Sequence, residues 1–258
     1  MKLLDSFKRF LAQSTEEDPS AEFGKALDAV GSSEFPESLT LQELLRDLLP
    51  EKHAQRFPEK CGFFLSAFLK KNRKSDTLEI PDNITIHYLG AFLSGGELKI
   101  KGACGDYLGA FAEGGSILVD GPVNDYAAFS MKSGKIQVKG IAQNHTAQNM
   151  ADGEVIIEKN CYDFAGNSMT GGKIEIRGNA GYSLGYRMKG GEIEVRDLAW
   201  DLIGEEMKGG KITVKGHIGK EFGLNMAGGE IFLNEANKDL PRSRTSGGSI
   251  NFVNFKKA

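Results

Sequence analysis

The sequence MTGGKIEI at residues 169–176 returns 19 positions later as MKGGEIEV at residues 188–195. Each copy places a glycine pair before a short segment in which aliphatic and charged residues alternate. Alternation with a period of two is typical of a β-strand that has one buried and one solvent-exposed face. Because a four-residue strand is unstable alone, a neighbouring copy must cover its apolar face. The repeat therefore predicts a stack of short strands.

The 19-residue period extends over most of the chain. It is marked by nine glycines without an insertion or deletion, namely Gly96, Gly115, Gly134, Gly153, Gly172, Gly191, Gly210, Gly229 and Gly248. Two aliphatic columns begin at Leu98 and Ile100 and keep the same period. Six methionines from Met131 to Met226 form another column, which is expected to fill the core because methionine adapts to irregular interior space. We expect a parallel β-helix of nine coils over residues 77–258, on the order of 43 Å long.

The first coil is the least regular. Leu78 and Ile80 lie one place early relative to the two aliphatic columns, and Pro81 follows them. An atypical coil at the end of a repeat array is what capping requires. Gly90 and Gly96 nevertheless keep the phase of the repeat.

Residues 1–76 lack the period and contain few glycines, which predicts a small α-helical N-terminal domain. Helices are expected near residues 3–11, up to Gly31, after a cap at Thr40, and from Pro58 onward. The last of these helices carries Phe63, Phe64 and Phe68. We interpret these phenylalanines as packing against the open end of the β-helix, and a face that docks a partner protein is the alternative.

Composition narrows the class of partner. The chain has 32 Lys and Arg against 35 Asp and Glu, for a net charge of −3. A nucleic-acid-binding protein usually has a basic excess, so no nucleic-acid partner is expected. The most apolar stretch, residues 61–69, is far shorter than the roughly 20 residues that span a bilayer, so no membrane association is expected.

Two further features predict a cytoplasmic protein. The stretch at residues 1–11 is interrupted by charges and lacks the apolar core of a secretion signal. The three cysteines show no paired spacing, which fits a reducing compartment.

The units at residues 169–181 and 188–195 resemble the GXGXG domain of the glutamate synthase large subunit. They are equally similar to the C subunits of formylmethanofuran dehydrogenase and of the bacterial formyltransferase/hydrolase complex. The resemblance covers residues 78 to about 235 and implies a right-handed, single-stranded parallel β-helix. It also implies a non-catalytic domain that supports neighbouring catalytic modules, with no catalytic residue and no cofactor to carry over.

An acidic column occupies the tenth position of several coils and includes Asp106, Asp125 and Asp163. Stacked carboxylates repel one another unless a cation or a basic partner neutralises them, so a calcium-type site is one interpretation. The other interpretation is local, because aspartate and asparagine favour turns by bonding their own backbone. A third is a pair of carboxylates that hydrolyses polysaccharides.

Trp200 and Tyr162 share the ninth position, at a turn of the coil, and are candidate contacts with a partner protein. Together with the resemblance, these observations predict a structural or assembly subunit of a larger enzyme complex that handles one-carbon units or glutamine-derived nitrogen. Two alternatives stay open. One is a homo-oligomeric scaffold without an enzyme partner, and the other is a carbohydrate-active β-helix enzyme that uses the acidic column.

Overall fold

The computed structural model describes residues 3–13, 18–72, 75–241 and 243–255. The helices are α1 (Leu3–Ala12), α2 (Pro19–Gly31), α3 (Leu41–Leu48) and α4 (Phe57–Asn72), with single 3-10 turns at Leu49–Glu51 and Glu235–Asn237. The strands are β1 (Asp76–Glu79), β2 (Ser94–Lys101), β3 (Glu113–Val119), β4 (Ser133–Val138), β5 (Glu154–Ile157), β6 (Lys173–Ile176), β7 (Glu192–Val195), β8 (Lys208–Val214), β9 (Gly228–Asn234) and β10 (Ser249–Val253).

The four predicted helices are confirmed, and their ends follow from local chemistry. The Asp18 side chain accepts a hydrogen bond from the Ser20 N–H at the start of α2. Thr40 caps α3 in a capping box, in which the Thr40 hydroxyl accepts from the Glu43 N–H and the Glu43 carboxylate accepts from the Thr40 N–H. Both arrangements satisfy N–H groups that have no partner within the helix.

The ten strands form one parallel sheet in chain order, which confirms a β-solenoid of about nine turns. From β2 onward, the central residues of each strand pair with residues 19 positions later, as in Ile136 with Val155 and Ile174 with Ile193. Like residues therefore stack on like residues. The two aliphatic columns are buried in every strand from β2 to β9.

The first coil differs from its prediction. Leu78 pairs with Ile100, 22 residues away, and Asp76 pairs with Leu98. The placement of Leu78 and Ile80 only one position early was therefore wrong, because the first coil contains three additional residues. The extra length lies after β1, where Ile84 donates its N–H to the Pro81 carbonyl in a turn at 3.0 Å.

The methionine column lies in the core, as predicted, and its six side chains are fully buried. Each methionine reaches toward a glycine with positive φ in the following coil. At Gly172, whose φ is +83°, an added Cβ would lie 2.7 Å from the Met150 terminal methyl group. Glycine is required there because it adopts this backbone conformation readily and leaves room for the methionine.

The helices and the first coils share one continuous hydrophobic core. Phe63, Phe64 and Phe68 are all buried within it, with at most 3% of their surface exposed. This burial confirms the core-packing interpretation of α4 and leaves no docking face at these three residues. The α1 end is fixed by Lys60, whose ammonium group donates to the carbonyls of Phe10 and Gln13 at 2.9 and 2.6 Å.

Candidate interaction surface

Three aromatic side chains lie exposed at one corner of neighbouring coils. Tyr162, Tyr182 and Trp200 have exposed fractions of 44, 44 and 49%, and they are the large apolar side chains exposed among the residues that the structure describes. Tyr182 and Trp200 stack with 5.6 Å between ring centroids and 28° between ring planes. We call these three residues the aromatic corner.

The second ladder of the solenoid positions this corner. Backbone bridges join Ala142, Cys161, Ala180 and Ala199 in successive coils, with their small side chains buried. Tyr162 and Trp200 each follow one of these residues, so the bridges fix where both rings leave the core. Tyr162 donates its N–H to the Ala142 carbonyl at 3.0 Å, and Trp200 donates to the Ala180 carbonyl at 3.2 Å.

Gly181 explains why the corner is open between Tyr162 and Trp200. It holds the same position one coil from each of them, and a Cβ there would lie 2.2 Å from a carboxylate oxygen of Asp163. The column therefore lacks a side chain at this coil, and Tyr182 at the next position stacks on Trp200. Sequence analysis identified Trp200 and Tyr162 from their shared column but missed Tyr182, because it lies in the neighbouring column.

The acidic column forms a ladder of hydrogen bonds between coils. Asp106 accepts from the Asp125 N–H at 3.3 Å, and Asp125 accepts from both the backbone and the side-chain amide of Asn144 at 2.9 and 3.1 Å. Asn144 accepts from the Asp163 N–H, and Asp163 accepts from the Tyr182 N–H. Each side chain thus binds the backbone of the next coil, whereas sequence analysis considered bonds to a residue's own turn.

This ladder separates the three predicted metal-ligating residues. Asp106 and Asp125 are in adjacent coils, but Asn144 stands between Asp125 and Asp163. Within the described parts of the chain, no group of three or more His, Cys, Asp or Glu side chains could hold a metal ion. One oxygen of each carboxylate already accepts a backbone N–H. Hydrogen bonding between coils therefore explains why Asp and Asn recur at this position.

The acidic ladder borders the aromatic corner. Asp163 lies beside Tyr182, and the Asp201 carboxylate, which accepts from the Lys220 N–H at 2.7 Å, lies beside Trp200. The corner therefore combines exposed rings with carboxylates at its margin. This arrangement suits a partner surface with apolar groups inside and Arg or Lys at its rim, because aromatic rings also attract cations.

A second feature missed in the sequence is a stack of rings inside the same turn. Tyr88, Tyr107, Tyr126, His145 and Phe164 follow one another at 19-residue spacing, with centroid distances between 4.6 and 5.0 Å. Phe63 of α4 continues the stack at 4.4 Å from Tyr88. The period makes this column visible in the sequence, and we interpret it as the structural link between the helices and the solenoid.

The outward face of the sheet is charged and balanced. Oppositely charged residues alternate along one column, in which Lys135 contacts Glu154 at 2.7 Å. Beside them, Glu175 contacts Arg177 and Arg196 at 2.9 and 2.6 Å. Burial opposes ionisation of Glu175, but the two guanidinium groups outweigh it and hold the pKa of this carboxyl below its usual value. Glu175 pairs with Glu194 of the next strand, and the basic side chains that contact each carboxylate, including Lys215 at Glu194, offset the repulsion between them.

The cysteines are interior groups. Cys104 and Cys161 are buried, and burial raises the pKa of each thiol to about 12. Cys61 is also buried and free, and burial raises its pKa too. A thiol with a raised pKa forms little of the nucleophilic thiolate. These residues pack as small apolar side chains.

The fold places the protein in the class of single-stranded parallel β-solenoids that are capped by helices. The model of the GXGXG motif family matches residues 65–254, which includes the end of α4 and all ten strands. The chain belongs to this family. No curated protein matches it. In the described parts of the chain, no helix has the length and apolar character needed to cross a bilayer.

Proposed function

We propose that this protein is a non-catalytic assembly subunit and that the aromatic corner docks another protein subunit of a metabolic enzyme complex. The observation that carries the proposal is the exposure of Tyr162, Tyr182 and Trp200 at one place on a repetitive scaffold. Aromatic residues supply large contact area at interfaces and are enriched among the residues that dominate binding energy. The resemblance to glutamate synthase and formyl-transfer complexes supports the choice of enzyme class. The three free cysteines support a cytoplasmic location.

The scaffold suits such a role for a physical reason. Each coil is joined to its neighbours by the sheet, by the bridge ladder at Cys161, Ala180 and Ala199, and by the side-chain ladder at Asp163. Groups presented by the corner are therefore held at fixed spacing, roughly 10 Å between rings two coils apart. Preorganised contact groups lose little conformational freedom when they bind, which favours affinity.

The test compares co-purified partners of the wild type with those of Trp200→Ala and Tyr182→Ala variants under mild, low-salt conditions. We expect amidotransferase, synthase or formyl-transfer subunits with the wild type and their loss, by about tenfold or more in recovery, with either variant. Asn124→Ala is the matched control, because Asn124 is exposed in the same column as Trp200 but lies four coils away. Equal recovery of the partner with all four proteins would exclude the aromatic corner as the docking site.

A further inference from the structure

Trp200 has one ring face that is open to solvent. Tyr182, which stacks on the indole ring with 5.6 Å between ring centroids, belongs to the preceding coil. The opposite face of the indole ring is therefore turned toward the following coil, where Gly219 holds the position of the ring. Because glycine has no side chain and 49% of Trp200 is exposed, this second face is accessible to a partner.

A carboxylate lies beside this open face. A Cβ added at Gly219 would collide with the Asp201 side chain, so the Asp201 carboxylate occupies the place that a side chain of residue 219 would take. One oxygen of this carboxylate accepts the Lys220 N–H at 2.7 Å, and the described residues donate no hydrogen bond to the other oxygen. The open ring face and an available carboxylate oxygen therefore lie on the same side of Trp200.

The same arrangement occurs two coils earlier, at Tyr162. Asp163 follows this ring, and Gly181 holds the position of the ring in the next coil. The Asp163 carboxylate again fills the place of the missing side chain, and it accepts the Tyr182 N–H at 2.9 Å. We call Trp200 with Asp201, and Tyr162 with Asp163, the two ring–carboxylate pairs. They are roughly 10 Å apart along the solenoid.

A ring face next to a carboxylate suits a planar cation. The ring attracts the cation through its π electrons, and the carboxylate accepts hydrogen bonds from two N–H groups of one guanidinium group. Arginine suits such a site better than lysine, because its charge is delocalised over a flat and weakly hydrated group. The charged residues at this turn of the Trp200 coil and the next are three acids and one lysine, namely Asp197, Asp201, Glu221 and Lys220.

We propose that the partner subunit places two arginine side chains on the aromatic corner, one at each ring–carboxylate pair. This inference rests on the proposed function, because it names the chemistry by which the corner recognises its partner. The spacing of the coils sets the distance between the two guanidinium groups at roughly 10 Å. A polyproline II segment meets this requirement, because its residues i and i+3 lie on one side and roughly 9 Å apart.

The first experiment uses the fluorescence of Trp200, which is the only tryptophan in the chain. The full chain is titrated with a capped four-residue peptide that has an arginine at each end and two prolines between them. We expect saturable binding, which should weaken by about tenfold or more when uncharged citrulline replaces both arginines. Equal binding of the two peptides, or unchanged emission at millimolar concentrations of the arginine peptide, would overturn the proposal.

Asp201→Asn tests the carboxylate without disturbing the fold. An asparagine oxygen still accepts the Lys220 N–H, so the ladder is kept while the charge beside Trp200 is lost. We expect the arginine peptide to bind about fivefold more weakly or worse. Asp125→Asn is the matched control, because it removes the same charge from the same column beside Asn124 instead of a ring. Wild-type affinity in Asp201→Asn would refute a role for the carboxylate.

Tyr162→Ala tests the spacing of the two pairs. Because Trp200 and Asp201 are retained, a peptide with a single arginine should bind this variant as it binds the wild type. The peptide with two arginines should bind about threefold more weakly or worse, because its second guanidinium group loses the ring. If the peptide with two arginines keeps its wild-type affinity, the second pair does not take part and the proposal of two arginines is wrong.

Co-purification separates this inference from the proposed function. Loss of the partner subunit both with Trp200→Ala and with combined Asp163→Asn and Asp201→Asn is the expected result. If only Trp200→Ala loses the partner, the corner docks a subunit without recognising arginine, and the inference alone fails. If every variant recovers the partner in wild-type amounts, the corner does not dock it, and the proposed function fails as well.

Discussion

The two ends of the solenoid are completed in different ways. At the first end, α3 lies against β1. The Gln42 side-chain amide accepts from the Glu79 N–H at 2.7 Å and donates to the Glu79 carbonyl at 3.4 Å, much as a neighbouring strand would. The Asp76 carboxylate also accepts from the Leu41 N–H at 2.7 Å. At the last end, β10 contains no charged residue, and no helix lies beyond it in the described part of the chain. Because each coil can pair with a further coil, both ends of a solenoid need a cap. In this protein the helices cover the first end.

Ring contacts fasten the helices to the first end. One stack passes from Phe63 of α4 into Tyr88, and a second passes from Phe23 of α2 into Phe92 at 4.6 Å. Both stacks then continue along the solenoid, the second as far as Phe111. The helices, which form a cap on the solenoid, thus extend the ring columns that hold the coils together. Loss of these contacts should destabilise mainly the first coils.

Phe63→Ala is the change with the largest expected effect. It removes a buried ring that contacts Tyr88 and Phe23, and the free energy of unfolding should fall by about 3–5 kcal/mol. Hydrogen exchange should show lost protection in α2, α4 and β1, with β5 to β9 little changed. Phe232→Ala, on the outward face of β9, is the control and should cost far less. Equal loss of protection along the whole solenoid would show that the helices stabilise every coil and not only the first ones.

Asp125→Ala tests the body of the solenoid between its ends. It removes the acceptor for two hydrogen bonds from Asn144, so denaturant unfolding should show a loss of about 1–2 kcal/mol. Asp125→Asn keeps an oxygen at the same position and should be close to the wild type. If a bound cation neutralised the acidic column instead, calcium would stabilise the wild type and both variants would lose that response.

Gln42→Ala sharpens the contrast between the ends, with a smaller effect. The side chain is exposed, so losing its two bonds to Glu79 should cost only about 0.5–1 kcal/mol. The edge of β1 would then lack its substitute strand. Denaturant unfolding checks this loss, and hydrogen exchange should show weaker protection of the Glu79 amide in the variant. Unchanged protection of the Glu79 amide would show that the rest of α3 suffices to protect this edge.

A last effect appears only at alkaline pH, at the junction of cap and solenoid. Burial and the neighbouring Tyr107 raise the pKa of Tyr88 to about 12 from its ordinary value of 10.0. A raised pKa means that the folded state keeps the proton longer than the unfolded chain. Its contribution is therefore present below pH 10 and is lost as the pH rises toward 12. Tyr88→Phe should weaken the fall in stability over that window, and ultraviolet absorbance should show one fewer late-titrating tyrosine.

The sequence by itself determined the period, the strand of each coil, the methionine core and the four helices. Each of these depends on local pattern, and a repeat without insertions copies that pattern to every coil. The same period also contained the ring column from Tyr88 to Phe164. Sequence analysis could have found this column, because its only requirement is aromatic character at one repeated position.

Only the tertiary structure decided three other features. It assigned Phe63, Phe64 and Phe68 to the core, because burial depends on where α4 lies against the coils. It lengthened the first coil by three residues, because strand register is chosen by the whole pairing and not by the nearest aliphatic residue. It also placed Tyr182 on Trp200 and left β10 at an edge. Proximity between columns and exposure at an end are properties of the assembled stack, which no single repeat contains.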